Sequence, residues 1–417
     1  MKNWFRTAIN AAPSLYVNRP FEEKTASRPL VALQLRDSGS ARYAASHWSG
    51  RDYAALSREG YQKNAVVFRC VRLIAEAAAS VPLCVRRGSR CEAGDPAEAL
   101  LSRGHSGASA QEIMEQFYGY LQVSGNAFLE AGLIDGVPVA IYALRPDRLR
   151  CRTGENGWPS GWEYEAGGYK RHFRIDKATG RSAIFHARVF NPLDDQTGHA
   201  PLCAAANAVD IHNAGGRWTK ALLDNAARPS GALIYKGSSG SDRLSDDQFD
   251  RLKLKLEGVH AGAKNAGRPM VLEGGLDWKS MSFSPADMDF MNARRDAARE
   301  IALAFGVPPM LLGIPGDNSY ANYKEANLAF WRQTILPLVG KTARGMQSWL
   351  QPFYGDDLRL VPDLDKVHAL ADERSQFWTR LSAASFMSEE ERRDLAGLPA
   401  RISEADMATA KPVGKHG

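Results

Sequence analysis

The chain has 417 residues, enough for two or three packed modules, and its 44% hydrophobic and 24% charged residues are ordinary for a globular protein. With 53 basic against 47 acidic residues the net charge is only +6, which argues against a dedicated sequence-specific DNA binder. Five cysteines, odd in number and without a CxxC pair, support neither a zinc site nor a disulfide framework, and no apolar run approaches the roughly 18 residues of a membrane span.

The N-terminal stretch MKNWFRTAINAAPSLY has a positive start but no continuous apolar run, so it reads as a peripheral docking arm or plain disorder and not as a secretion signal. Residues 17–60 show no sustained period and are expected to extend that arm. The first amphipathic helix is predicted over 65–81, with Val67, Cys70, Val71, Ile74 and Ala78 on one face and Pro82 as its stop. Ser109 with Glu112 makes a capping box for a second helix. The period then changes to two. "AFLEAGLI", Asp135-Gly136 and "VPVAIYAL" read as a hairpin with a primed turn, followed by strands near 147–153, 162–166, 169–175 and 182–190. Residues 201–227 return to helix, with Gly215-Gly216 allowing close packing or a bend.

Residues 228–283 read as a small α/β insertion: a strand "GALIYKG", a helix bearing Lys253 and Lys255 on its exposed side, and a hairpin "PMVLE", Gly274-Gly275, "LDWKSMSF". A helix then runs from a Ser284 cap to Gly306 and Val307-Pro308-Pro309, carrying Arg294, Arg295 and Arg299 among its apolar positions. A polar loop, Pro315 to Tyr320, leads to another helix near Asn322 that Pro337 should kink. Residues 340–362 read as a Pro-containing connector. Two further helices are expected, over 365–383 and from a Ser388–Glu391 capping box to Gly397, before a polar tail.

The run "SPADMDF…RRDAAREIALAFGVPPMLLG…NSYANYKEANLAFWRQTILP" resembles the hallmark segment of tailed-bacteriophage portal proteins, the ring at the head-to-tail vertex. The likeness continues in "NAVVFRCVRLIAEAAASVPLCV", "GNAFLEAGLIDGVPVAIYALRPDRL" and "AGRPMVLEGGLDW", and so covers roughly residues 60–400 in the family's order. The modest length is also similar to portals of gene transfer agents. The resemblance implies an α+β portal fold: an N-terminal arm (1–60), a wing (61–200), stem helices (201–227 and 284–306) around a clip (228–283), a tunnel loop and wing helix (307–362), and a helical crown (363–400). It implies a dodecameric ring at the capsid vertex of a virion or phage-like particle, assembled in the bacterial cytoplasm. Its partners would be double-stranded DNA, the major capsid protein, the large terminase and a head–tail adaptor, with no membrane.

On that resemblance Gly316, Asp317, Asn318, Ser319 and Tyr320 form the DNA-facing loop, Lys253 and Lys255 a docking surface on the clip, and Arg294, Arg295 and Arg299 a seam between stem helices, with Asp210 and Asp224 as candidate partners. No enzyme activity, cofactor or metal is expected. Gly340-Lys341-Thr342 imitates the end of a P-loop, but Ile335 stands where a phosphate-cradling glycine is needed. There is no GxGxxG, HExxH or GxSxG, and His186 and His212 read as satisfied structural residues. Two other classes stay open at this point: a DNA-packaging ATPase, resting on those three residues alone, and another oligomeric capsid or tail structural protein.

Overall fold

The computed structural model describes residues 48–87, 90–91, 94–105, 107–155, 157–224, 231–235, 247–248, 250–251, 276–280, 289–314 and 320–396. Helix α1 (Ala65–Ala79) starts where the Asn64 side chain accepts hydrogen bonds from the Val66 and Val67 amides, and it buries Val67, Cys70, Val71, Ile74 and Ala78 as one stripe. Asp95 caps α2 (Pro96–Arg103), which the sequence reading passed over. Helix α3 (Ala110–Ser124) opens with the expected capping box and packs Ile113, Phe117, Tyr118 and Leu121 against α1. These helices and the sheets on them bury the main core.

The strands form antiparallel sheets. β1 (Leu83–Arg87) is flanked by the short β2 (Arg90–Cys91). β3 (Asn126–Ile134) and β4 (Val137–Leu144) are the expected hairpin, with Asp135 and Gly136 both at positive φ in its primed turn. The next sheet is β5 (Leu149–Thr153), β6 (Pro159–Ala166) and β7 (Tyr169–Arg174), in that order. β8 (Ile184–Arg188) returns to pair with β3. Phe128, Leu144 and Ile184 from one sheet meet Leu149, Trp162 and Phe173 from the other in a second, smaller core.

Helix α4 (Ala206–Asp224) follows a short turn of helix at Pro201–Ala204 and lies along α5 (Phe290–Ala304). Between them β9 (Gly231–Tyr235) pairs with β10 (Leu276–Ser280), so the two ends of the insertion are tied as a ribbon. The expected partner of "LDWKS" was "PMVLE", which lies outside the described residues. Helix α6 (Tyr320–Phe330) runs through a π-helical turn, Trp331–Ile335, into α7 (Leu336–Tyr354). Pro337 offers no N–H and crowds the carbonyl of Gln333. The widened turn just before it absorbs both demands.

Two stretches differ from the sequence reading. Tyr53–Ala55 and Leu56–Gln62 are helical and not an extended arm, because Leu56 and Gly60 are buried and Gly60 sits under Leu202. Residues 340–362 are no connector: α7 carries Val339, Ala343, Met346 and Leu350 into the core, and β11 (Leu358–Pro362) pairs antiparallel with β1. Segments distant in sequence thus close one sheet. The helix expected over 365–383 begins at Ala371 as α8 (Ala371–Ala383), after two 3-10 turns; α9 (Glu389–Leu395) carries its capping box. Among the described residues no helix is long and apolar enough to cross a membrane, and no three His, Cys, Asp or Glu gather as metal ligands.

Candidate functional site

Among the described residues the helix pair α4/α5 is anchored at its base. Leu202, Ala205, Ala206, Ala208 and Val209 are buried at the base of α4, and Ala297, Ala298, Ile301 and Ala302 at the base of α5. From Asp210 to Lys220 no residue of α4 is buried, nor is any from Asn292 to Asp296 on α5. Two helices side by side cannot bury each other's outer faces, so this half of the pair stands ready for neighbours.

Gly215 lets the pair approach closely. The Cβ, Cγ and Cδ of Arg294 lie 3.8–4.0 Å from where a Gly215 side chain would begin. Arg294 is therefore half-buried against its own partner helix, whereas Arg295 and Arg299, four residues apart on one face, are exposed. Arg299 has Asp296 at 3.6 Å. Asp210, one expected partner of this arginine face, is already engaged within the subunit: it accepts from the Ser49 amide at 3.0 Å and the Ser49 hydroxyl at 2.5 Å, with Arg51 at 3.5 Å. The Asp224 side chain lies outside the described residues.

The end of α5 is built for a sharp stop. Gly306 is left-handed, its N–H donating to Leu303 O and that of Val307 to Ala302 O, the two bonds of a Schellman motif. A Cβ on Gly306 would meet the Thr334 hydroxyl at 2.9 Å, and that hydroxyl donates to Gly306 O at 2.6 Å. Thr334 lies in the π-helical turn. The clamp thus ties the end of α5 to the π-helical turn that follows α6. Gly316, Asp317, Asn318 and Ser319 lie outside the described residues, and Tyr320, assigned to that loop, instead begins α6. Lys253 and Lys255 also lie outside them.

The P-loop imitation dissolves on folding. Gly340, Lys341 and Thr342 sit inside α7, where the Lys341 ammonium donates to Arg188 O at 3.0 Å and the buried Thr342 hydroxyl to Leu338 O at 3.0 Å. His186 is structural, as expected: its ring stacks on Phe128 at 4.3 Å, and its Nε2 lies 2.9 Å from Asn126 Oδ1. His212 is bonded to Asn64 at 3.1 Å, tying α4 to the cap of α1. Asp363 caps a 3-10 turn, and Asp365 accepts from Arg374 at 2.5 Å, so that acidic pair is spent on local structure.

A mixed α/β body from which two helices project, with a small insertion between them, is the architecture of a ring-forming connector subunit. The chain belongs to the phage portal protein family, whose pattern matches residues 65–397. A protein of Rickettsia bellii is 37% identical over 350 residues, covering 84% of this chain and 90% of its own. The portal protein of Enterobacteria phage HK97 is 23% identical, over 76% of this chain and 72% of its own length. Among solved structures, a chain from the neck of an empty gene transfer agent particle is 49% identical with a TM-score of 0.67, covering 85% of this chain and 96% of its own.

Proposed function

We propose that this chain assembles as a ring of twelve at one vertex of a phage-like capsid, where it is the DNA conduit during packaging and ejection. The ring is the nucleus on which the major capsid protein assembles, and it docks the large terminase first and the head–tail adaptor later, through the insertion that carries Lys253 and Lys255. The role is structural, without an enzyme activity of its own. The observation that carries the reading is the α4/α5 pair, anchored at its base and without a buried residue from Asp210 to Lys220 and from Asn292 to Asp296. Ring closure would cover those flanks heterologously. The 49%-identical chains of gene transfer agent necks, one solved with C12 symmetry, support both the ring and its place in the particle.

Negative-stain images and mass photometry of the purified full chain test this. Closed rings of twelve subunits with a central channel are expected; only monomers, open filaments or closed shells at every concentration would sink it. Calorimetric titration with ATP separates the packaging-ATPase reading, for which Lys341 would need a free ammonium; no binding heat is expected.

A further inference from the structure

The modest net charge hides an uneven distribution. Residues 145–188 hold ten Lys and Arg against five Asp and Glu, so nearly all of the chain's excess of +6 lies in this one stretch. The sheet β5–β6–β7 arranges it. Leu149, Trp162 and Phe173 face the second core, so alternation places Arg150, Arg152, Glu163, Lys170, His172 and Arg174 on the opposite face.

The register sorts these side chains into rows. In one, Arg150, Glu163 and His172 are neighbours across the three strands. Glu163 is consumed there: it accepts from Arg152 Nε at 2.7 Å and Lys170 Nζ at 3.5 Å. The next row is Arg152, Gly161 and Arg174, with no acid in it. Position 161 takes only glycine, because a Cβ there would lie 2.3 Å from Phe173 O. Gly161, itself buried, therefore puts no side chain between two arginines about 10 Å apart, two interstrand spacings. Ser160 and Lys177 border the same shallow concavity of about 570 Å³. Among the described residues Arg150, Arg174 and Lys177 have no carboxylate partner. β7 is an edge strand, and Tyr169 at its start is 82% exposed.

Uncompensated cations on a rigid, open sheet match a repeating array of phosphates better than a small enclosed anion. Exposed aromatic side chains, which would stack unpaired bases, are missing from the row around Gly161, so the row suits the phosphates of a duplex better than a single strand, and phosphate contacts carry no sequence preference. We propose that the outer face of β5–β6–β7 binds the phosphate backbone of double-stranded DNA through Arg174 and Lys177, beside the Glu163-bound Arg152, a contact separate from the loop at 315–320. Choosing DNA over an acidic protein surface rests on the portal reading, since DNA is the polyanion such a particle holds.

The test is fluorescence anisotropy of a labelled 30-base-pair duplex of arbitrary sequence with the full-length protein across a salt series. Each lost phosphate contact removes about 0.9 from the slope of log K against log salt. Arg174→Gln with Lys177→Gln should therefore lower the slope by about two and weaken binding on the order of tenfold to a hundredfold at 0.1 M salt. Arg174→Lys should recover most of that loss, and removing Arg380 and Lys366 instead should change little. Wild-type binding that the double variant leaves intact would assign DNA to other surfaces and overturn the proposal. So would binding of polyglutamate but not DNA, or of neither. Ring formation is read on the same samples by mass photometry, so failure of the portal reading registers separately.

Discussion

At the scale of single residues, the densest node joins Gly125, Asn126, His186 and Gly198. Asn126 Oδ1 accepts from the Gly198 amide at 2.8 Å and lies 2.9 Å from His186 Nε2, so the imidazole donates there. Burial first, and Arg188 second, push the His186 pKa down to about 3. A histidine depressed in the folded state contributes stability that is whole above its unfolded value near 6.5 and drains as pH falls toward 3. The slope in that window is at most about 1.4 kcal/mol per pH unit for one group. Urea unfolding of wild type and His186→Gln at pH 7, 5 and 4 should show a steeper loss in the wild type, with carboxylate titration common to both. Parallel stability curves would mean that His186 protonates freely in the fold. Gly198 is as constrained, since a Cβ there would lie 2.0 Å from Gly125 O. Gly198→Ala should therefore cost about 3 kcal/mol or more, a backbone clash being harder to relieve than core overpacking, and a thermal melt within a degree or two of wild type would contradict this. The role of His186 was legible in the sequence as a strand residue with apolar neighbours. The Gly125–Gly198 apposition was not, because two backbones meeting across some 70 residues leave no periodic trace.

Elements were legible where local chemistry and burial agreed. The capping boxes at Ser109 and Ser388, the Asp135-Gly136 turn and the Gly306 stop all formed as their residues dictate. Helix α7 was misread because Pro337, Gly340, Gly345 and Pro352 depress helix propensity within one stretch, while the stripe from Val339 to Leu350 buries enough apolar surface to override it. Gly345 also has a packing reason, the Phe185 ring lying 3.0 Å from where its Cβ would be. The arginine face of α5 was legible only in part. Spacing alone could not say which arginine turns inward, and Gly215 decides it for Arg294. The seam proposal now falls on Arg295 and Arg299. Each exposed ion pair is worth at most about 1 kcal/mol, but a ring repeats it at every interface. Arg295→Glu should weaken ring formation more than the fold, and high salt should weaken the native ring in the same direction. Equal ring fractions for both proteins in mass photometry across a salt series would place that face toward solvent or DNA.

For the molecule as a whole, the portal reading assigns the loop from Pro315 to Ser319 to the DNA path, and the physical demand on such a loop is weak contact. A duplex must slide past every subunit, and each lysine or arginine bound to phosphate releases counterions and adds affinity. The segment Pro315-Gly316-Asp317-Asn318-Ser319 contains no basic residue, which suits passage without retention. The elements on either side of it are held independently, the Schellman stop ending α5 at Gly306 and the Thr334 hydroxyl beyond α6 donating to Gly306 O. Changing the loop should therefore leave folding and ring closure alone. Deleting Gly316 to Ser319 should give intact rings whose particles retain or deliver less DNA. A gain of charge tests the mechanism more sharply. Asn318→Lys with Ser319→Lys places a basic collar in the path, repeated in each subunit, so DNA should move more slowly, and more so at low salt than at high. Particles built with the lysine variant should show normal ring stoichiometry, reduced DNA delivery, and partial recovery as salt is raised. Wild-type delivery at every salt concentration would mean that the duplex never touches this loop.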